Sequence, residues 1–391
     1  MISYPREIAF ALDRLHGAGY EAYIVGGALR DALLGRKAGD YDIATSAFPH
    51  ETQAVFADMR TLETGLRHGT LTVFVGSMPI EITTYRVDGD YTDSRHPSSV
   101  RFTRTLSEDL LRRDFTINAM AYSPIGGLVD LYGGREDLEA RLIRAVGEPE
   151  KRFDEDALRI LRAFRFCSKL GFDIEEKTLS AISVCREGLG RISAERIAAE
   201  LRGILEGEHA YSSLLLMERS GVAEIVLGDA KLSDEISQLP RIFEVRLAFL
   251  MREAEPSALS DYLHSLKLSN LSVRTVFRLC ALSKEPPVAT EPMVRRLLAR
   301  AGDDFEHLMA LYAVCGKERE TEQVSRLAAE CVARGDCLKV ADLAIDGKDV
   351  AVLGKRGKEI GVTLEALLEA VLDEPSLNKK EMLLDMAKKM S

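Results

Sequence analysis

The chain has 391 residues, 46% of them hydrophobic, with 52 basic against 62 acidic side chains and a net charge of −10. That length calls for more than one domain, and the apolar content suffices for buried cores. The acidic balance argues against a wholly basic nucleic-acid binder while permitting a local basic track, and the absence of Trp with a low aromatic count (6%) argues against stacking platforms for long single strands. No apolar run reaches membrane-spanning length, so no membrane partner is expected. The first residues carry no signal-peptide pattern. Six scattered cysteines form no Cys-X-X-Cys, which excludes a zinc knuckle and fits free thiols in a reducing cytoplasm.

In chain order, the first informative stretch is Tyr23-Ile24-Val25-Gly26-Gly27-Ala28-Leu29-Arg30. Tyr23 to Val25 read as the end of a buried strand. Residues 28–34 are good helix formers, with Gly35 as a stop. Gly26 and Gly27 then sit at a helix N-terminus, where free N–H groups and the dipole favour an anion, with Arg30 one turn in. On its own such a pair is equally an ordinary turn.

Asp40 and Asp42 follow, two residues apart among β-formers, so that a strand would point both carboxylates to one face. Two like charges there suit a divalent cation such as Mg2+, although a solvated strand edge has the same pattern. His68 reads as structural. Residues 70–75 and 80–85 read as two strands joined by a hairpin at 76–79. Glu81 alternates with Ile80 and Ile82 and faces away from the core, as a third metal-side carboxylate or as a surface side chain. Residues 86–97 are polar and rich in turn formers, a long connecting loop. Glycines at 126–127 and 133–134 punctuate a late turn region. From about Pro149 the pattern is helical, with gaps near Gly207, Asp229 and residues 285–287.

Gly26-Gly27-X-X-Arg30-Asp31 with Asp40-X-Asp42 resembles the head of the polymerase-β-type nucleotidyltransferases. More narrowly, the chain is similar to class II tRNA nucleotidyltransferases (CCA-adding enzymes) and to bacterial poly(A) polymerases. Three further motifs come in the family's order: Arg112-Arg113-Asp114-Phe115-Thr116-Ile117-Asn118, Glu155-Asp156-Ala157-Leu158-Arg159, and Ile192-Ser193-Ala194-Glu195-Arg196-Ile197. The resemblance implies that the first recognises ribose through Arg113 and Asp114, with Asn118 also at the nucleotide. The second would read the base, and the third would be structural. It implies an α+β fold: a polymerase-β-like head of mixed sheet and helices at 1–148, then an all-α neck (149–207), body (208–285) and tail (286–391).

Residues 154–166 read as one helix. Ala157, Ile160, Leu161 and Phe164 form its apolar stripe, and Asp156, Arg159, Arg162 and Arg165 run down the other side. Spacing alone suits an ion-pair ladder on a solvated face. The chemistry also suits selection: Asp156 accepts from the exocyclic amine of C or A, and Arg159 donates to the neighbouring ring acceptor. Arg162 and Arg165 would hold triphosphate.

The expectation is template-independent addition of CCA to tRNA from CTP and ATP. Asp40 and Asp42 are the expected Mg2+ ligands, and Glu81 is catalytic beside them. The resemblance gives the loop at 86–97 a role in switching from C to A, so shortening it between Asp88 and Arg95 should stop synthesis at CC. Rival readings are an A-adding enzyme or poly(A) polymerase of the same fold, and an inactive tRNA-binding protein. A homodimer is allowed. Late in the chain, Arg295, Arg296 and Arg300 read as a solvated helix face, and the basic turn at 354–361 as a candidate tRNA backbone contact.

Overall fold

The structure, a computed structural model, describes residues 2–89 and 100–390. Two compact units divide the chain, Met1–Gly228 and Asp229–Ser391.

The first unit opens with α1 (Arg6–Gly17), whose Ile8, Ala11, Leu12 and Leu15 recur at helical spacing and are fully buried. Ile8, Leu12 and Leu15 each contribute roughly 1.5–3 kcal/mol on burial. Next come β1 (Ala22–Val25), α2 (Gly26–Leu33), β2 (Asp42–Thr45), α3 (Pro49–Val55), β3 (Thr61–Leu62), β4 (Thr70–Val75) and β5 (Met78–Thr84). The short β6 (Arg86–Asp88) and β7 (Val100–Phe102) pair with each other. The expected loop at 86–97 therefore begins later than Arg86, and most of it lies outside the described residues. After α4 (Leu106–Leu111) and a 3-10 turn (Thr116–Asn118), the head ends with β8 (Met120–Ser123), β9 (Gly127–Asp130), α5 (Gly134–Ala140) and β10 (Leu142–Ile143).

Among the described residues, seven strands form one sheet in the order β3-β4-β5-β2-β1-β8-β9. The β2–β5 pair is parallel and its neighbours are antiparallel. The hairpin expected at 76–79 is tighter. Met78 and Pro79 already pair with Val75 and Phe74, leaving Gly76-Ser77 as the turn. Pro79 is tolerated in an inner strand because β2 joins β5 only from Glu81 onward. Gly134 lets α5 reach the 3-10 turn: a Cβ there would lie 2.3 Å from the Thr116 carbonyl oxygen.

The helical part begins with α6 (Pro149–Glu155) and α7 (Leu158–Leu170), then β11 (Asp173–Ile174), α8 (Glu176–Cys185), α9 (Ala194–Leu205), α10 (Ala210–Arg219) and α11 (Val222–Leu227). The single helix expected over 154–166 is broken. Asp156 ends α6 with extended backbone (φ −146°, ψ 101°), and its carboxylate accepts from the Leu158 N–H that starts α7. The apolar stripe holds: Ala157, Ile160, Leu161 and Phe164 are all fully buried, and α7 packs on α9 and α10.

The second unit contains α12 (Phe243–Leu250), α13 (Pro256–Ser265), α14 (Asn270–Ser283), α15 (Glu291–Ala301), α16 (Phe305–Tyr312), α17 (Glu318–Arg334), α18 (Gly347–Val352), α19 (Lys358–Asp373) and α20 (Lys380–Lys389). Here the arginine cluster departs from expectation. Arg295 is 2% exposed, its guanidinium donating to the Leu372 and Asp373 carbonyls at the end of α19 and to Glu291. Arg296 pairs with Glu369 and Asp373, and Arg300 with Glu285. Arg295 and Arg296 fasten α15 to α19 through carbonyls and an acid 73 to 78 residues away, which local pattern does not reveal, while Glu291 is a partner one turn away and Arg300 stays exposed as expected. No helix among the described residues is long and apolar enough to cross a membrane.

Candidate active site

Two strand ends and the middle of β5 carry the carboxylates and the glycines to one place. Val25, the last residue of β1, is level with Asp42, the first of β2, and Asp42 is level with Glu81 in β5. Paired positions in a parallel ladder share a face, so Asp42 and Glu81 stand side by side, with Ile80 and Ile82 buried on the opposite face. Asp40 is not on the strand. It lies in a bend two residues before β2, so strand alternation does not align it with Asp42 as the sequence suggested. Its charge still reaches Asp42. Burial first, then Glu81, and then Asp40 push the Asp42 carboxyl up to about 6, against the lowering pull of Arg113.

Burial, reinforced by the two neighbouring acids, makes the charged form of Asp42 costly. Among the described residues no group of three or more His, Cys, Asp and Glu side chains is placed to hold a metal ion. Hard carboxylate donors with open positions nevertheless suit a small divalent cation, which keeps places for water and substrate phosphate.

Beside Asp42, α2 begins at Gly26 with φ +71°, a left-handed conformation that favours glycine. A Cβ there would stand 3.6 Å from the Asp42 carboxylate and 3.7 Å from the Arg113 guanidinium. The first N–H groups of α2 thus open beside both. They border a cavity of about 520 Å³ lined by Gly26, Gly27, Arg30, Asp42, Arg113, Asp114, Asn118, Asp156, Arg159, Arg162 and Arg165, all anticipated from sequence. Asp40 and Glu81 do not line it. Arg112, Leu158, Phe166, Lys169 and Arg196 line it and were missed as site residues. Phe166 and Lys169 continue the α7 face that carries Arg162 and Arg165, a signal the helical period offered. Arg112 adjoins Arg113 in a quoted motif, and Arg196 sits in the motif read as structural.

Eight basic side chains line this cavity against three acids, on a chain whose net charge is −10. The basic groups are held in place by acids around them. Arg30, 3% exposed, donates to Asp31 (2.9 and 2.7 Å) and to the Asn118 side-chain oxygen (2.9 Å). Asp109, buried, takes both Arg112 (2.7 Å) and Arg113 (3.2 Å), and these outweigh its desolvation and lower its pKa. Asp114 accepts from the Phe115 N–H, from Asn118 and from Arg162 at 2.8 Å. Burial alone would raise its carboxyl; Arg162 and these bonds hold it down at about 2.

Arg159 donates to Glu155 (2.7 Å) and to the Arg152 and Arg112 carbonyls. Asp156 receives Arg196 at 2.7 Å. The ladder of Asp156 with Arg159 is therefore absent; each is anchored separately. Arg165 lies 2.8 Å from Glu200, but the two are poorly aligned: among the described residues the Arg165 Nε–H and the Glu200 Oε2 make no hydrogen bond with each other or with another partner. Desolvation raises the Glu200 pKa despite that arginine. The Phe166 ring sits among three guanidinium groups, with Arg30 at 5.3 Å, Arg162 at 5.5 Å and Arg165 at 5.2 Å from its centroid, a cation–π arrangement.

Such a cavity suits a polyanion with a flat polar ring. Comparison with known proteins agrees. Residues 22–144 match the poly A polymerase head domain, and residues 171–231 match the probable RNA and SrmB-binding site of polymerase A. The chain is 37% identical over 397 residues to the CCA-adding enzyme of Enterococcus faecalis, covering 98% of this chain and 96% of that one. It is 38% identical over 383 residues to the CCA-adding enzyme of Geobacillus thermodenitrificans, covering 94% and 93%. The crystal structure of the Bacillus stearothermophilus CCA-adding enzyme in complex with CTP matches with a TM-score of 0.82 at 33% identity, over 99% of this chain and 98% of that chain. A nucleotidyltransferase of this kind calls for a divalent metal cation, and the Asp42–Glu81 edge has the donors for one. With motifs, fold and near-complete relatives in agreement, the chain belongs to the family of CCA-adding enzymes.

Proposed function

We propose that this chain completes the 3′ end of tRNA, joining C, C and A in turn from CTP and ATP with the protein itself as template. The observation that supports this best is the cavity in which Asp156 and Arg159 lie with a row of arginines, beside the glycine start of α2 and Asp42. Asp156 accepts from the exocyclic amine shared by cytosine and adenine, and Arg159 donates to the adjacent ring acceptor. By count, Asp156 keeps two of about four lone-pair sites and Arg159 two of five donors after their internal bonds. Arg30, Arg162, Arg165 and the N–H groups of Gly26 and Gly27 receive the triphosphate. Arg113, Asp114 and Asn118 address the ribose.

Asp40 and Asp42, with Glu81 alongside, would hold Mg2+, which when bound lowers the pKa of the primer 3′-hydroxyl and steadies the departing pyrophosphate. The 3′ oxygen bonds to the α-phosphorus, the bond to the bridging oxygen breaks, and pyrophosphate leaves with the negative charge that the arginines neutralise. The division into head (1–148), neck (149–207), body (208–285) and tail (286–391) is part of this reading, with the basic turn at 354–361 against the tRNA backbone. The reaction suits the reducing cytoplasm, in keeping with six free cysteines.

The test is incubation with tRNA lacking its terminal CCA and each labelled nucleoside triphosphate in turn. Two CMP and then one AMP are expected. Incorporation of UMP or GMP as readily as CMP would discard the base-reading model. Long A-tails on generic RNA would make the chain a poly(A) polymerase, and tRNA binding without any incorporation, unchanged by Asp42→Ala, would make it a binding protein.

A further inference from the structure

We infer that Arg196 is a positioning residue for base selection: it clamps the Asp156 carboxylate in the orientation that distinguishes an amine from a carbonyl on the incoming base. The inference rests on the base-reading role proposed for Asp156 and goes beyond it, because Arg196 belongs to the motif otherwise read as purely structural.

The Asp156 carboxylate has one tie from its own segment and one from another helix. Asp156 lies between α6 and α7 in extended backbone, outside both helices. One oxygen, Oδ1, is tied to the Leu158 N–H at 3.0 Å, two residues along the chain. The other, Oδ2, receives Arg196 Nη2 at 2.7 Å. That second tie comes from a different helix. Ala198, Leu201, Ile204 and Leu205 of α9 are buried, and α9 packs against α7, so Arg196 is carried on a rigid support. A charge-assisted bond of this length is directional, and two ties at right positions fix a carboxylate that one tie leaves free to swing.

Arg196 is not spent on stability alone. Its second arm, Nη1, is buried without a hydrogen-bond partner among the described residues. An unmade bond of that kind carries a cost, which a residue kept only to fasten two helices would not be expected to bear. Arg196 also lines the cavity that holds Asp156 and Arg159, and so stands at the site rather than behind it.

The consequence follows from geometry. When the clamp is lost, cytosine and adenine lose a well-aimed acceptor for their amine. Uracil and guanine, which present a carbonyl there, never had that bond and lose less. Discrimination should fall with rate, and the fall should be confined to backgrounds where Asp156 is present.

The experiment measures kcat and KM for CTP and UTP on tRNA lacking CCA with the full chain, its Arg196→Met and Arg196→Lys variants, and each combined with Asp156→Ala. Melting temperatures establish that each variant is folded. Arg196→Met is expected to lower the ratio of kcat/KM for CTP to that for UTP about tenfold, the worth of one well-aimed bond to a charged group. Arg196→Lys is expected to recover most of the ratio. In the Asp156→Ala background Arg196→Met is expected to change the ratio no further. Equal losses for CTP and UTP, or a further loss without Asp156, would overturn the positioning role. Should the unaltered chain itself fail to prefer CTP over UTP, the base-reading proposal fails instead, and the two failures are distinct.

Discussion

Replacing Asp114 by Asn tests the electrostatic frame of the cavity. Asp114 is 8% exposed, and its carboxyl is held at about 2, against an ordinary value of 3.8. The difference, at 1.36 kcal/mol per pH unit, is worth roughly 2 kcal/mol of folding stability. The sign follows from the depressed value: the contribution is complete above the unfolded pKa near 3.8 and is lost as pH falls through about 2. Asn keeps an acceptor for the Phe115 N–H, but turning its amide toward Arg162 sets donor against donor. The assay is urea unfolding by far-UV circular dichroism, since the chain has no Trp, with hydrogen exchange over residues 110–120 and 158–170 to locate the loss. The variant should be less stable by roughly 2 kcal/mol at pH 7 and at pH 5, with the gap closing below about pH 4. A gap that stays constant down to about pH 2.5, or no gap at pH 7, would refute the role given to this pair.

Asp42→Asn should abolish transfer yet stabilise the metal-free protein at pH 7 by roughly 1–3 kcal/mol, because the raised Asp42 carboxyl makes its charged form costly when folded. The gain should vanish below about pH 4, where Asp42 is protonated folded or unfolded, and thermal melts across pH would show it. Arg159→Ala should weaken both rate and CTP-over-UTP preference, about a hundredfold in kcat/KM for CTP, read by steady-state kinetics. Gly203→Ala places a Cβ 2.6 Å from Arg165 Cδ. It should displace that arginine and raise KM for CTP and ATP together, with their ratio unchanged. Of the six cysteines Cys315 is exposed, Cys185 partly so and the others buried; a thiol reagent should label Cys315 first on the native protein, as peptide mass spectrometry would report.

Local signals carried far in this chain. The glycine pair opens α2, the alternation around Glu81 gives a strand with both isoleucines buried, and the α7 stripe is fully buried as its period required. What stayed hidden depends on partners distant in sequence or on capping. The helical period runs unbroken through Asp156, yet its side chain caps α7 and ends α6 without any Gly or Pro to announce it. The bonds from Arg196 to Asp156 and from Arg295 to the end of α19 span 40 and 77 residues, beyond the reach of any periodicity. The arginines of α7 were read as facing open solvent or ligand, whereas Asp114 and Glu200 from other segments already claim two of them. Charge and hydropathy locate a functional face; they do not say which acid each arginine answers to.

The parallel pairing of β2 with β5 has a bearing on biosynthesis. Its two acidic side chains lie at opposite ends of a crossover that runs through α3, β3 and β4, so they meet only after that whole segment has been made and packed. Asp156 and Arg196 arrive later still from the ribosome. A nascent chain that ends before β5 therefore lacks the Asp42–Glu81 pair, and one that ends before α9 lacks the tie from Arg196 to Asp156.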